Sequence, residues 1–121
     1  MITFDTIQLT IEKFYAKATN DFMIGYHFRK IDDFEEHIPR IANFWHLQLN
    51  GEVHQRVSPP FELINKHKAL GIKKGELNRW VILFEETLQE ELQAQNLTNE
   101  FYRSWMDKMM FFKERIEKAL F

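Results

Sequence analysis

His67 lies on an apolar helical stripe, between Leu63 four residues earlier and Leu70 three residues later. The segment GIKKG follows, and then an amphipathic helix is predicted whose apolar face carries Trp80. A short helix that presents an imidazole, beside a helix that presents an indole, is one way to hold a flat apolar cofactor by its metal. The pattern therefore raises the hypothesis of a haem pocket in which His67 binds the iron.

Each candidate residue has a simpler interpretation when it is taken alone. A single histidine on a helix face, such as His67 or His37, is more often a core or surface residue than a metal ligand. Tyr15 and Trp80 are most simply aromatic residues of the core. Taken together, the four candidates are harder to explain as core packing. His37 and Ile41 share one helical face, and Tyr15 ends an aromatic pair on the first helix. If the helices of His37 and His67 flank a plane, one histidine lies on each side of it.

An all-α chain is predicted to position these side chains. Only four glycines and three prolines interrupt the sequence, and apolar residues recur at steps of three and four. Asp32 and Asp33 are helix-start signals, and Asn50-Gly51 is a helix-end signal. The expected elements are a helix from Phe4 to Thr19, a short element through Phe28, a helix from a distorted start near His37 to Leu49, a short helix beginning at Pro60, the Trp80 helix to about Gln93, and a last helix from the Thr98 cap to about Leu120.

The composition excludes several other classes of protein. The formal net charge is −2, which gives no strong field for a nucleic acid or a membrane surface. The chain has no cysteine, so disulfides, thiolate zinc sites and thiolate ligation of haem are excluded. No apolar run approaches the roughly 20 residues of a membrane-spanning helix. We expect a single domain over residues 1–121 in a reducing cytoplasm, with no nucleic-acid or membrane partner.

Four segments carry a family resemblance. They are Phe14-Tyr15 on the first helix, DFMIGYHF ending in Phe28, HIPRIANFW from His37 to Trp45, and the spaced set His67, Leu70, Arg79, Trp80, Leu83, Phe84 and Thr87. In this order the segments resemble the motifs of the truncated haemoglobins, and within that family those of group III. The resemblance implies a two-over-two helical sandwich that binds haem b.

The resemblance also implies roles for individual residues. His67 would be the proximal iron ligand, and His37 would lie on the distal side and point inwards or swing out. Tyr15 O–H and Trp80 N–H would donate hydrogen bonds to a bound O2, which carries partial negative charge. The implied haem-binding residues are His67, Phe28, Ile41, Phe44, Arg40, Leu70, Trp80 and Phe84.

The remaining charged and titratable residues have weaker assignments. Arg40 and either Lys66 or Lys68 are candidates to meet the haem propionates, and a solvated surface charge explains each of them equally well. His27, His46 and His54 are expected to be solvated or to lie on helix surfaces.

Three functions remain open. The first is a haem protein that binds O2 and other diatomic ligands such as NO and CO. The second is a nitric oxide dioxygenase or peroxidase, which would need an external reductase because the four glycines form no GxGxxG motif for a nicotinamide or flavin cofactor. The third is a haem-free helical interaction module that retains the fold.

Overall fold

The computed structural model describes residues 1–31, 34–54 and 63–121, except for the side chains of Phe34, Leu63 and Asn65. Six helices occupy the described residues, and no strand occurs among them. The helices are α1 (Phe4–Thr19), α2 (Gly25–Phe28), α3 (Phe34–Asn50), α4 (Leu63–Leu70), α5 (Lys74–Gln93) and α6 (Asn99–Leu120).

Helix α1 has the bounds that its sequence predicts. The Thr3 hydroxyl accepts a hydrogen bond from the backbone N–H of Thr6, which caps the helix at its N-terminus. The buried positions recur at helical spacing and turn one face of the helix inwards; they are Ile7, Thr10, Ile11, Phe14, Tyr15 and Ala18. Phe22 continues this spacing in the sequence, but it lies beyond the helix and is exposed. The inward face therefore ends at Ala18.

Helix α3 starts before Pro39 and continues through it. Pro39 is inside the helix and Ile38 beside it is buried, so the regular element begins three residues earlier than the distorted start predicted near His37. At the other end the helix stops at Asn50, and Gly51 follows with φ of +81°, a conformation that favours glycine at a helix C-terminus. The predicted start signals Asp32 and Asp33 lie outside the described residues.

The second half of the chain forms helices α4, α5 and α6. Helix α4 bears His67, and the proposed start of this helix at Pro60 lies outside the described residues. Helix α5 ends at Gln93, as predicted. Helix α6 begins after Thr98, whose hydroxyl accepts a hydrogen bond from the N–H of Phe101, and this confirms the predicted cap.

The helices pack as two pairs laid one over the other. Helix α1 packs on α3, α5 packs on α6, and the pairs meet where α1 contacts α5 and α3 contacts α6. Trp105 from α6, Trp45 from α3 and Phe84 from α5 meet where the pairs cross, with ring centroids 5.9 Å apart in each combination. The two-over-two sandwich of the all-α prediction is therefore confirmed. Within the described residues, no helix combines the length and the apolar character needed to cross a membrane.

Candidate functional site

A cavity of about 310 Å³ lies between the helix pairs and α4. This volume is within the roughly 300–1,000 Å³ range of small-molecule and cofactor pockets. Its walls are mainly apolar and aromatic, with three histidines and one lysine among them. The lining residues are Ile11, Phe14, Tyr15, His27, Phe28, Ile31, His37, Ile41, Trp45, Lys66, His67, Ala69, Leu70, Trp80 and Phe84.

His67 and Trp80 form one wall of this cavity and touch each other. Their ring centroids lie 4.6 Å apart with an angle of 46° between the ring planes, and both side chains are half-buried. The family resemblance implied that the Trp80 N–H would donate to a bound ligand and that His67 would hold the iron. The structure brings both rings to the cavity, but side by side.

Tyr15 and His37 form a polar part of the cavity lining. The Tyr15 hydroxyl shares a hydrogen bond of 3.0 Å with Nε2 of His37. Burial raises the pKa of Tyr15, so the phenol keeps its proton at neutral pH. Partial burial lowers the pKa of His37, and the positive charges of Lys66 and Arg40 lower it further. The wall therefore presents a neutral imidazole hydrogen-bonded to a protonated phenol.

Two cations lie near the same histidine. Lys66 lines the cavity, and Arg40 is close enough for its charge to act on His37. Lys66 is exposed and Arg40 is partly exposed, so both charged groups reach solvent beside the cavity. Lys68, the alternative named with Lys66, is exposed and is not among the lining residues.

Aromatic rings in the cavity lining contact one another. The Phe14 ring lies 4.8 Å from Phe84, 5.9 Å from Phe28 and 6.2 Å from Trp80, measured between centroids. The Tyr15 ring meets Phe28 edge-on at 5.1 Å. Such edge and tilted contacts fix the rings relative to one another, so the apolar wall is preformed.

Phe44 does not line the cavity, although it was named as a haem-binding residue. Its ring instead packs between α3 and α6, 5.2 Å from Trp45 and 5.2 Å from Phe112. Phe44 lies on the same face of α3 as His37 and Ile41, one to two turns further along the helix, and its ring lies against α6 instead of the cavity. Trp45, the next residue in the sequence, lines the cavity instead of Phe44.

Two histidines that were expected to be solvated are buried. His27 is 5% exposed and lines the cavity, and its Nε2 lies 3.2 Å from Oε1 of Glu76. His46 is also 5% exposed, and its Nδ1–H donates to the carbonyl oxygen of Glu52 at 2.7 Å. His54 is exposed, as expected, and stacks on Phe4 with centroids 4.3 Å apart.

Sequence reasoning also missed several apolar lining residues. They are Ile11, Phe14, Ile31, Trp45 and Ala69. The spacing of Ile11 and Phe14 with Tyr15 on the buried face of α1 was a usable signal. Nothing local in the sequence points to Ile31 or Ala69, because their contact with the cavity depends on how α2 and α4 are placed.

An ion pair holds the turn after α1 against α5. Arg79 donates to Oδ1 of Asp21 from Nε at 3.0 Å and from Nη2 at 2.7 Å. Oδ2 of Asp21 accepts the backbone N–H groups of Met23 and Ile24 at 3.0 and 3.1 Å. The hydrogen bond from Arg79 is the main reason that the pKa of Asp21 lies below its ordinary value. This contact places α2, which carries His27 and Phe28, next to the cavity.

The donor set of the cavity fits a haem. A neutral imidazole on a wall of aromatic rings can ligate iron, and the two nearby cations can meet propionates. Among the residues that the structure describes, no three His, Asp or Glu side chains are grouped as a multidentate metal site. The cavity therefore offers an iron ion single imidazoles as ligands, and those of His27, His37 and His67 line it.

The fold is similar to a solved globin structure. It matches the crystal structure of a group III truncated hemoglobin from Campylobacter jejuni with a TM-score of 0.78 and 24% sequence identity, and the match covers 100% of this chain and 93% of that chain. No protein-family model matches the sequence. No curated protein sequence matches it either. The likeness shows that this chain has the truncated-haemoglobin fold.

Proposed function

We propose that the protein binds haem b in the cavity between its helix pairs, with His67 as the iron ligand, and that it binds O2 and other diatomic gases there. The observation that carries this proposal is the grouping of an imidazole, an aromatic wall and a phenol–imidazole pair around one cavity of about 310 Å³. The likeness in fold to a truncated hemoglobin supports it. A bound haem would supply an iron whose free coordination position takes the gas.

The residues of this chain have separate tasks in the proposal. The Tyr15 hydroxyl keeps its proton and offers a hydrogen-bond donor to a partly negative ligand atom in the cavity. His37 fixes the direction of this hydroxyl by donating its Nε2–H to the phenol oxygen at 3.0 Å, which leaves the single O–H of Tyr15 for the ligand. The apolar side chains of Phe28, Phe84 and Ile41 keep water from the same space.

The two cations beside His37 give the mouth of the cavity a positive charge. Lys66 and Arg40 are the side chains that we assign to the propionates, because both have access to solvent and both act electrostatically on His37. Of the two, Lys66 is the one that also lines the cavity. Pairing with a carboxylate there would relieve the repulsion between these two charges.

A second candidate is an enzyme that acts on nitric oxide or on peroxide. The Tyr15–His37 pair favours it, because a polar wall that can donate a hydrogen bond and exchange a proton suits oxidative chemistry as well as tight O2 binding. Electrons would have to come from an external reductase. Turnover with NO or hydrogen peroxide and a supplied electron donor separates this candidate from O2 storage.

The haem proposal is tested by titrating the purified full chain with hemin and recording absorbance spectra. We expect saturation at one haem per chain and a Soret band that shifts on reduction and again on addition of CO. His67→Ala should change the ferrous spectrum, whereas His54→Ala, which alters an exposed histidine away from the cavity, should not. Absence of any Soret band above that of free hemin would instead favour a haem-free interaction module with this fold.

A further inference from the structure

His27 and Glu76 form a buried pair that the proposed haem chemistry does not use. Their side chains are 6% and 7% exposed, and Nε2 of His27 lies 3.2 Å from Oε1 of Glu76. The carboxylate also accepts hydrogen bonds from the Tyr26 hydroxyl and, at 2.8 Å, from the backbone N–H of Lys73. Three donors from α2 and from the start of α5 therefore converge on one carboxylate.

These contacts fix the protonation of the pair. Burial would raise the pKa of Glu76, but the hydrogen bonds from Tyr26, Lys73 and His27 outweigh it, so the pKa lies below its ordinary value. Glu76 is therefore an ionised carboxylate that can only accept hydrogen bonds. Nε2 of His27 must carry the proton of their shared hydrogen bond, and in the neutral ring Nδ1 is left with a lone pair.

Nδ1 of His27 is buried and has no hydrogen-bond partner among the described residues. A buried polar atom of this kind costs free energy unless a water or another small molecule supplies the bond. His27 lines the main cavity, and it also lines a smaller adjoining pocket of about 40 Å³ between Glu76, Trp80 and His67. About 10–15 Å³ is enough to hold one water.

We propose that His27 is a hydrogen-bond acceptor in the cavity wall, oriented by Glu76, which binds one small O–H donor such as water at Nδ1. Its Nε2–H stays bonded to the Glu76 carboxylate, as in other carboxylate–histidine pairs.

The binding step is tested on the full chain without haem, by ¹⁵N NMR of histidine-labelled protein at neutral pH. His27, identified by its loss in His27→Phe, should be a neutral ring with the proton on Nε2 and an unprotonated Nδ1. Glu76→Gln should change this distribution of the proton, because the amide can donate as well as accept. A ring with its proton on Nδ1 in the wild type, or a distribution unchanged in Glu76→Gln, would overturn the assignment.

Discussion

Tyr15 on α1 and His37 on α3 share a hydrogen bond of 3.0 Å between the phenol oxygen and Nε2, although 22 positions separate them in the sequence. The pair exists because α1 packs along α3 and turns Tyr15 towards the cavity. It places a hydrogen-bonded phenol and imidazole among the apolar side chains of the cavity wall. The first two predictions depend on it.

Tyr15→Phe should speed O2 dissociation from the haem-loaded protein. The phenol is the protonated donor that faces the cavity, and a hydrogen bond to a charged partner contributes about 1.5–3 kcal/mol. At about 1.4 kcal/mol per tenfold, the dissociation rate should rise by at least about tenfold in a stopped-flow experiment. Tyr102→Phe, the same change on α6 outside the cavity lining, serves as the control. Equal rates in the two variants would remove Tyr15 from the proposed role.

His37 should make stability depend on pH in mildly acid solution. Partial burial and the charges of Lys66 and Arg40 lower its pKa in the folded protein. The stabilisation is therefore present above the unfolded pKa of about 6.5 and is lost as pH falls from there through the lower folded pKa. Urea unfolding should show the wild type losing more free energy of unfolding than His37→Gln between about pH 7 and pH 5. Parallel pH profiles would contradict this.

Arg79→Ala should destabilise the protein by about 2–3 kcal/mol, because it leaves a buried carboxylate without its ionic partner. The Asp21 side chain is 4% exposed and that of Arg79 is 29% exposed. Lys113→Ala, which removes an ion pair with Glu117 within α6, should cost less than about 0.5 kcal/mol. The difference is measured by chemical denaturation at neutral pH. Similar losses in both variants would mean that the Asp21 contact does not hold α2 in place.

Gly25→Ala should also destabilise the protein, for a steric reason. A Cβ at Gly25 would lie 2.7 Å from the carbonyl oxygen of Thr19 and 2.6 Å from Nη1 of Arg29, so the end of α1 must shift at a cost of about 1–3 kcal/mol. Gly75→Ala meets only the flexible end of Met23, at 3.3 Å, and lies within α5. That control should be neutral or stabilising by up to about 1 kcal/mol. Thermal denaturation of the two variants gives the comparison.

Local signals predicted the helices well. The Thr98 cap and the apolar stripe of α1 act within one or two turns, so the sequence contains the information needed to place those elements. The prediction that His67, Trp80 and Tyr15 would meet at one cavity came from a family resemblance, and the structure places all three in its lining.

Long-range polar contacts could not be predicted in the same way. Glu76 and His27 are 49 positions apart, and Arg79 and Asp21 are 58 apart. In a helical pattern a charged or imidazole side chain indicates a solvated face unless its distant partner is known. The prediction that His27 is solvated was wrong for this reason.

The central claim is that the His67 imidazole ligates the iron. The most direct test is the ferrous spectrum of haem-loaded His67→Gly, recorded with and without added imidazole. The account predicts that the variant loses the histidine-ligated spectrum of the wild type and that imidazole restores it by occupying the space of the missing side chain. A His67→Gly spectrum identical to that of the wild type before imidazole is added would show that another group binds the iron, and would contradict the account.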